Sequence, residues 1–393
     1  MVINLSLKME TIELKSIVNI IMGQSPKSEF YNKNYEGMPF LQGNKTFGDM
    51  YPSFELYTTS IKKVAKKGAV LMSVRAPVGD LNMAHEDICI GRGLCSLEMK
   101  NGDNEFLYYL LKANVSRLIN NGSGTIFKSI NKNDIESFQL FIPKNFKDQE
   151  MILNILSKID NKIEICKEIN KNLFNIIDII FNKFVGDYED LEYVVLSDNA
   201  NEIIRGFNSK YVDKSNLINF NQKVNKGTFL DKQYFKYLDE NIKVPKEKFA
   251  KKRDVLLNSL GQGTLGRPHY YNEDTDNVVV DQHITIIRAN EDLIPSTYIY
   301  EYLKNSAGQY QLDGLISGTS GMLMLNISNI RSLKIPILPK EKLKEFDSLV
   351  TPLFDKIAQN FEEIESLSKL RDVLLPQLMS GEIDPSKINY DLE

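Results

Sequence analysis

The sequence predicts an α+β protein with two similar globular halves, separated by two long antiparallel helices forming a coiled-coil spacer. Three observations lead there. Short strand-like runs alternate with turn residues and brief helical patterns. The same series of landmarks occurs twice along the chain. Each series ends in an apolar stripe with a seven-residue repeat, longer than an ordinary globular helix.

The repeat is read from the order of its landmarks. LKSIVNIIMGQS (Leu14–Ser25) resembles LSDNANEIIRGFNS (Leu196–Ser209), with Gly23 falling on Gly206. KKGAVLMSVRAPVG (Lys66–Gly79) matches KRDVLLNSLGQGTLG (Lys252–Gly266) through Val70 and Val255. The strand patterns ICIGRGLCSLE (Ile88–Glu98) and VVVDQHITIIR (Val278–Arg288) follow, each with a polar step in its middle. Short helices are expected at Phe106–Lys112 and Tyr298–Lys304, then the loop-rich stretches Asn121–Ile135 and Ser317–Ile330. Each half closes on a strand, a proline and a long helix: ESFQLFIPKNFKDQE (Glu136–Glu150) and RSLKIPILPKEKLKE (Arg331–Glu345). Pro143 and Pro339 are taken as the corresponding stops. The stretch from about Asn199 to Asp239 has weak periodicity and receives no assignment.

In the first long helix the stripe falls at Ile152, Ile155, Ile159, Cys166, Ile169, Leu173, Ile176 and Ile180, with Lys162 as the polar core position. In the second it falls at Leu343, Phe346, Val350, Leu353, Ile357, Ile364, Leu367, Leu374 and Leu378, with Asn360 and Arg371 polar. Pro352 implies either a helix that starts at Thr351 or one that is kinked. About 36 helical residues extend about 54 Å, a length suited to holding two readers apart. The expected boundaries are 1–146 and 186–340 for the globular halves, 147–185 and 341–384 for the helices, and 385–393 for a tail.

Composition narrows the function classes. A chain of 393 residues is long enough for two or more cores. Three cysteines make no disulfide framework, no apolar run is long enough to span a bilayer, and no secretory signal is visible, so a cytoplasmic location is expected. The net charge of −4 gives no overall pull towards nucleic acid. Local basic clusters (Lys62, Lys63, Lys66, Lys67; Lys246, Lys248, Lys251, Lys252, Arg253) are ordinarily solvated faces, though such clusters also make phosphate contacts. The three histidines have no second ligand at metal spacing, and no phosphate-binding glycine motif is present; GQGTLG (Gly261–Gly266) has the wrong spacing. Asp80, Glu98 and Lys100 could be imagined as a cation-binding nuclease core, but the second half has no counterpart. No Asn-Pro-Pro-aromatic string is present, and the chain reads as non-catalytic.

The closing segments carry a resemblance. FIPKNFKDQEMILNILSKIDNKI in the first half and LSKLRDVLLPQLMSGEID at the C-terminus resemble the DNA-specificity subunits of type I restriction–modification systems. Leu370, Arg371, Asp372, Leu374, Leu375, Pro376, Ser380, Gly381, Glu382 and Ile383 carry the terminal signature; GTIFKSINKNDI and DQHITIIR are also of family type. The first junction has Lys-Asp-Gln-Glu where the second has Glu-Lys-Leu-Lys-Glu, so the glutamine is not duplicated. The resemblance implies that each half reads one part of a bipartite double-stranded DNA target. It also implies that the helices dock modification methyltransferase subunits, expected to be two, with restriction/translocase subunits as further partners and no membrane. No cofactor is expected in this chain; S-adenosylmethionine, ATP and magnesium would sit on those partners. A scaffold holding two modules on a helical spacer is the alternative, and a stand-alone nuclease or methyltransferase a more distant one.

Base edges are read best by side chains with paired donors or acceptors. The candidate readers are therefore loop residues at repeat-related places: Arg75, Arg92, Thr125 and Lys128 in the first half; Asn258, Gln262, Gln282, His283, Thr319 and Ser320 in the second.

Overall fold

The computed structural model describes residues 7–121, 129–188, 190–208, 210–261, 263–318 and 323–388. The chain divides into two compact units, one of residues 1–164 and 365–393, the other of residues 165–364. The division falls inside both long helices, Phe146–Gly186 and Lys340–Met379. No helix among the described residues is long and apolar enough to cross a membrane.

In the first unit an antiparallel four-stranded sheet runs in the order Val18–Met22, Leu94–Met99, Val70–Ser73, Leu81–Met83. A five-stranded sheet of very short strands joins it, in the order Tyr31–Asn32, Tyr57–Thr58, Met38–Leu41, Ile88–Ile90, Val64–Ala65. Within it, Met38–Leu41 and Ile88–Ile90 run parallel. The helix Asn104–Asn121 covers the first sheet, contributing Phe106, Leu107, Leu110 and Leu111 to the core. The first strand, Met9–Glu13, pairs with Gln139–Pro143 at the edge of the unit.

The second unit repeats this plan, with the pairing of Val64–Ala65 reduced to the single bridge of Phe249 with Val279. Its four-stranded sheet is Ala200–Arg205, Ile284–Ala289, Asp254–Asn258, Pro268–Tyr271. Beside it run Tyr211–Val212, Lys236–Leu238, Ile218–Phe220 and Val278–Val280, again with the last two parallel. Glu192–Val195 pairs with Lys334–Ile337, as the first strand does with its partner. The unassigned stretch therefore holds four of these strands, three of them only two or three residues long with no room for an alternating pattern.

Where the two copies differ, local chemistry gives the reason. The single helix Asn104–Asn121 is replaced by Ser296–Lys304 and Ser306–Gly314. Asn305 adopts extended backbone between them, and its side chain accepts from the Ala307 amide as an N-cap. Both helical regions are longer than the expected Phe106–Lys112 and Tyr298–Lys304.

The strand-to-helix junctions also depart from expectation. Pro143 does not stop the strand; it is its last paired residue, opposite Met9 on an edge where no ladder amide is required. Asn145 starts the helix, accepting from the Lys147 amide through its side chain at 3.1 Å. Pro339 is the corresponding residue of the second junction, its carbonyl accepting from Lys342 and Leu343. The unduplicated glutamine has a local role: Gln149 Nε2 donates to the Pro143 carbonyl at 2.7 Å, buried at the bend. Leu343, equally far from its strand, fills that place with apolar volume.

Within the second unit the two helical segments run antiparallel. Cys166 faces Glu363, Asn170 faces Asn360, Phe174 faces Phe354, and Phe181 faces Phe346. Asn360 Nδ2 donates to Asn170 Oδ1 at 2.7 Å, and both side chains are buried. A matched amide pair specifies register, since sliding either helix leaves polar groups buried and unmet. In the first unit Arg371 and Asp160 form the corresponding polar contact at 2.8 Å.

Asn360 and Arg371 thus occupy their expected inward places, but Lys162 is only partly buried and the neighbouring Ile163 is the core residue. From there on the first helix buries Asn170, Ile177 and Phe181 in place of Ile169, Ile176 and Ile180. The second helix runs unbroken through Pro352, so a start at Thr351 is not realised.

Candidate nucleic-acid interface

The strands of each unit end in a common rim of turns, fixed by corresponding backbone hydrogen bonds. In the first unit Gly23 N donates to Leu94 O at 2.9 Å, and Gly91 N to Leu41 O at 2.8 Å. Val74 N donates to Gly93 O at 2.9 Å, and Ile130 N to Val74 O at 3.1 Å. The second unit makes the same four bonds. Gly206 N donates to Ile284 O at 3.0 Å, Asp281 N to Phe220 O at 2.9 Å, Ser259 N to His283 O at 2.9 Å, and Leu325 N to Ser259 O at 3.0 Å.

Five chain segments therefore converge at one end of the strands in each unit. Gly23 and Gly206 allow it: a Cβ on either would overlap a carbonyl oxygen of the neighbouring turn, that of Gly91 or Asp281. Their alignment in the sequence reflects this close backbone approach.

The rim gathers some of the expected residues. Arg92 is exposed in the turn between Ile88–Ile90 and Leu94–Met99. Arg75 is exposed just beyond Val74, on the neighbouring strand's exit. Neither guanidinium has a protein partner among the described residues. In the second unit Gln282 and His283 occupy the turn that matches Arg92 and Gly93.

His283 is braced from below. The buried Asp281 carboxylate accepts from the His283 backbone amide at 2.9 Å, from its ring Nδ1, and from the Tyr211 hydroxyl at 3.1 Å. With Nδ1 engaged by Asp281, Nε2 is the ring nitrogen left to meet a ligand.

Asn258 differs from expectation. It is fully buried, accepts from Asn225 Nδ2 at 2.9 Å and donates to the Gln222 carbonyl at 3.3 Å. Its amide braces the 222–227 loop and does not reach the rim surface. The hydrogen bonds show why: Asn258 matches the buried Ser73, and the position matching Arg75 is Leu260. Thr125, Lys128, Gln262, Thr319 and Ser320 lie outside the described residues.

The basic clusters separate into two kinds. Lys66 pairs with Asp87 at 2.8 Å, and Lys62 and Lys63 are exposed. In the second unit Lys252 pairs with Asp355, Arg253 with Asp347, and Lys248 donates to the Arg205 carbonyl. Much of that cluster serves to hold the unit together. Asp80, Glu98 and Lys100 do not converge either. Asp80 bonds beside Ser73, whose partner Leu94 lies four residues along the strand from Glu98, and Lys100 donates to the carbonyls of Lys15 and Ser16.

Sequence comparisons place this geometry among known proteins. The family model described as "Type I restriction modification DNA specificity domain" matches residues 7–175. The putative type I restriction enzyme MjaX specificity subunit of Methanocaldococcus jannaschii is 44% identical over 160 residues, 40% of this chain and 37% of that protein. The type I restriction enzyme MjaIX specificity subunit of the same organism is 27% identical over 354 residues, 82% of this chain and 79% of that protein. The crystal structure of a type I restriction–modification system S subunit from M. genitalium superposes with a TM-score of 0.65 at 17% identity. It covers 95% of this chain and 96% of its own, and this likeness is one of fold.

Proposed function

From its likeness to specificity subunits of type I restriction–modification systems, we propose that the chain is one of them and that each of its two rims reads one part of a bipartite target in double-stranded DNA. The observation that carries this reading is the pair of rims: one backbone frame, built twice, carrying different side chains. Arg75 and Arg92 offer donors on one, whereas Gln282 and His283 offer mixed groups on the other. A shared frame with unlike readers suits two unlike half-sites.

The long helices set the gap between half-sites and dock the modification subunits. Support comes from Ile165, Ile169, Ile176 and Ile179, which stand exposed on the first long helix. Steps of 4, 11 and 14 residues from the first place all four on one face, at 100° per residue. A row of four exposed isoleucines is the kind of surface that a partner covers. S-adenosylmethionine, ATP and magnesium belong to the modification and restriction partners, and this chain supplies readout and placement.

The test is to sequence methylated bases in a host expressing this chain with its modification subunit. One interrupted motif, with two specified parts and a fixed unspecified gap, is expected and should vanish when the chain is omitted. Methylation without a chain-dependent motif would contradict the reading.

A further inference from the structure

We propose that Gln42 and Arg92 act as one donor-only reading pair on the first rim, selecting a guanine-containing step through its major-groove acceptors. This rests on the DNA-reading function above and assigns it to particular atoms.

The Gly91-Arg92-Gly93 turn sits directly on Gln42. A Cβ at Gly91 would come within 2.9 Å of Gln42 Oε1, and one at Gly93 within 2.6 Å of the Gln42 carbonyl oxygen. The two glycines thus bring the arginine and the glutamine side by side, and both are exposed.

A relay then fixes the orientation of the Gln42 amide. The Arg92 backbone amide donates to Ser25 Oγ at 3.1 Å, occupying an oxygen lone pair. The Ser25 hydroxyl donates in turn to Gln42 Oε1 at 2.9 Å. Tyr31, whose hydroxyl donates to the Pro26 carbonyl at 2.9 Å, closes the same side of Oε1 at 3.4 Å. The amide oxygen is engaged within the protein. Nε2 has no protein partner among the described residues.

A glutamine free at both ends can pair with adenine, using its oxygen for N6–H and its nitrogen for N7. Gln42 with Oε1 engaged offers donors alone, and so does the Arg92 guanidinium. Guanine presents two acceptors, O6 and N7, in the major groove, and thymine presents O4. Donors held in place before binding also lose less side-chain freedom on contact.

The second unit does not repeat the pair. Asn221 stands where Gln42 would, and its amide is spent on the Tyr234 carbonyl at 2.8 Å and the Lys223 amide at 2.9 Å. The selectivity should therefore belong to one half-site.

The experiment measures methylation rates of the assembled modification complex on duplexes carrying its mapped motif, each position replaced in turn. The wild type should prefer guanine at one position of one half-site by about tenfold or more. Arg92→Ala and Gln42→Ala should each flatten the preference at one or two adjacent positions and leave the other half-site unchanged. Ser25→Ala frees Oε1 and should move the preference at the Gln42 position towards adenine. Arg92→Lys, which keeps the charge and remains donor-only, should retain salt-dependent binding and a weakened guanine preference, since it lacks the planar fork.

A wild-type motif that all four variants preserve would overturn the pair, as would a loss spread evenly over every sequence. Failure of the wild type to direct any motif would instead overturn the broader reading, and the pair with it.

Discussion

Replacing Arg371 with leucine is expected to cost about 3–5 kcal/mol, because it strands a buried carboxylate. Asp160 accepts from Arg371 Nη1 at 2.8 Å and from the Tyr109 hydroxyl at 2.8 Å, and is itself almost fully buried. Burial opposes the Arg371 charge, but its hydrogen bond to Asp160 and that carboxylate's charge outweigh burial and keep the guanidinium ionised. Burial, followed by the Asp160 charge, pushes the Tyr109 hydroxyl far above the ordinary tyrosine range, so it stays a donor at any working pH.

The triad ties the helix Asn104–Asn121 to both long-helix segments within the first unit. Urea unfolding followed by circular dichroism should show the loss. Combining Arg371→Leu with Asp160→Leu should cost less than Arg371→Leu alone, because no charge is then stranded. A double variant whose loss equals the sum of the singles would show that the two residues act independently.

Phe346→Ala is expected to destabilise the second unit by about 3–5 kcal/mol, the usual cost of emptying a large aromatic site. Phe346 is fully buried on the second long helix, with ring centroids 5.5 Å from Tyr298, 5.7 Å from Phe184 and 6.0 Å from Phe181. Two of these partners belong to the first long helix, and Tyr298 lies on Ser296–Lys304, where its hydroxyl donates to the Pro336 carbonyl. One ring therefore joins both helices to the sheet domain of that unit. Phe346→Leu keeps most of the volume and should lose well under half as much. Equal losses in the two variants would mean that the cavity does not govern the cost.

The repeat was legible because it rests on positions that tolerate little change. Gly23 and Gly206 align because each must admit a carbonyl oxygen where a Cβ would be. Leu14 and Leu196, at the start of the matched segments, are both fully buried. The long helices were legible from their apolar stripes, but the phase of the first was not. Its buried residues Ile152, Ile163 and Phe174, then Ile155, Cys166 and Ile177, then Ile159, Asn170 and Phe181, recur every eleven residues, with Phe174 partly buried. A straight helix drifts from a seven-residue count by about 20° per heptad, and eleven residues fit its turn more closely. Exposed isoleucines at 169 and 176 completed a plausible seven-residue pattern on the wrong side.

The proposed readers were the least legible feature. Arg92 was legible as the arginine in the polar step of a repeated strand pattern. Asn258 offers an amide near a strand end, but the alignment through Val70 and Val255 puts it on Ser73, and both are buried. Gln42 carries no local signal, since an exposed glutamine after a strand is ordinary. Its constraint comes from Ser25, seventeen residues earlier, and from a turn some fifty residues later.

On the function proposed above, the two halves read separate parts of one target through a shared frame. Exchanging residues 7–145 for the matching segment of a related specificity subunit, then mapping methylated bases in the same host, tests this. One specified part of the motif should change, while the other part and the gap stay as they were. A change in both parts, or in neither, would contradict the account.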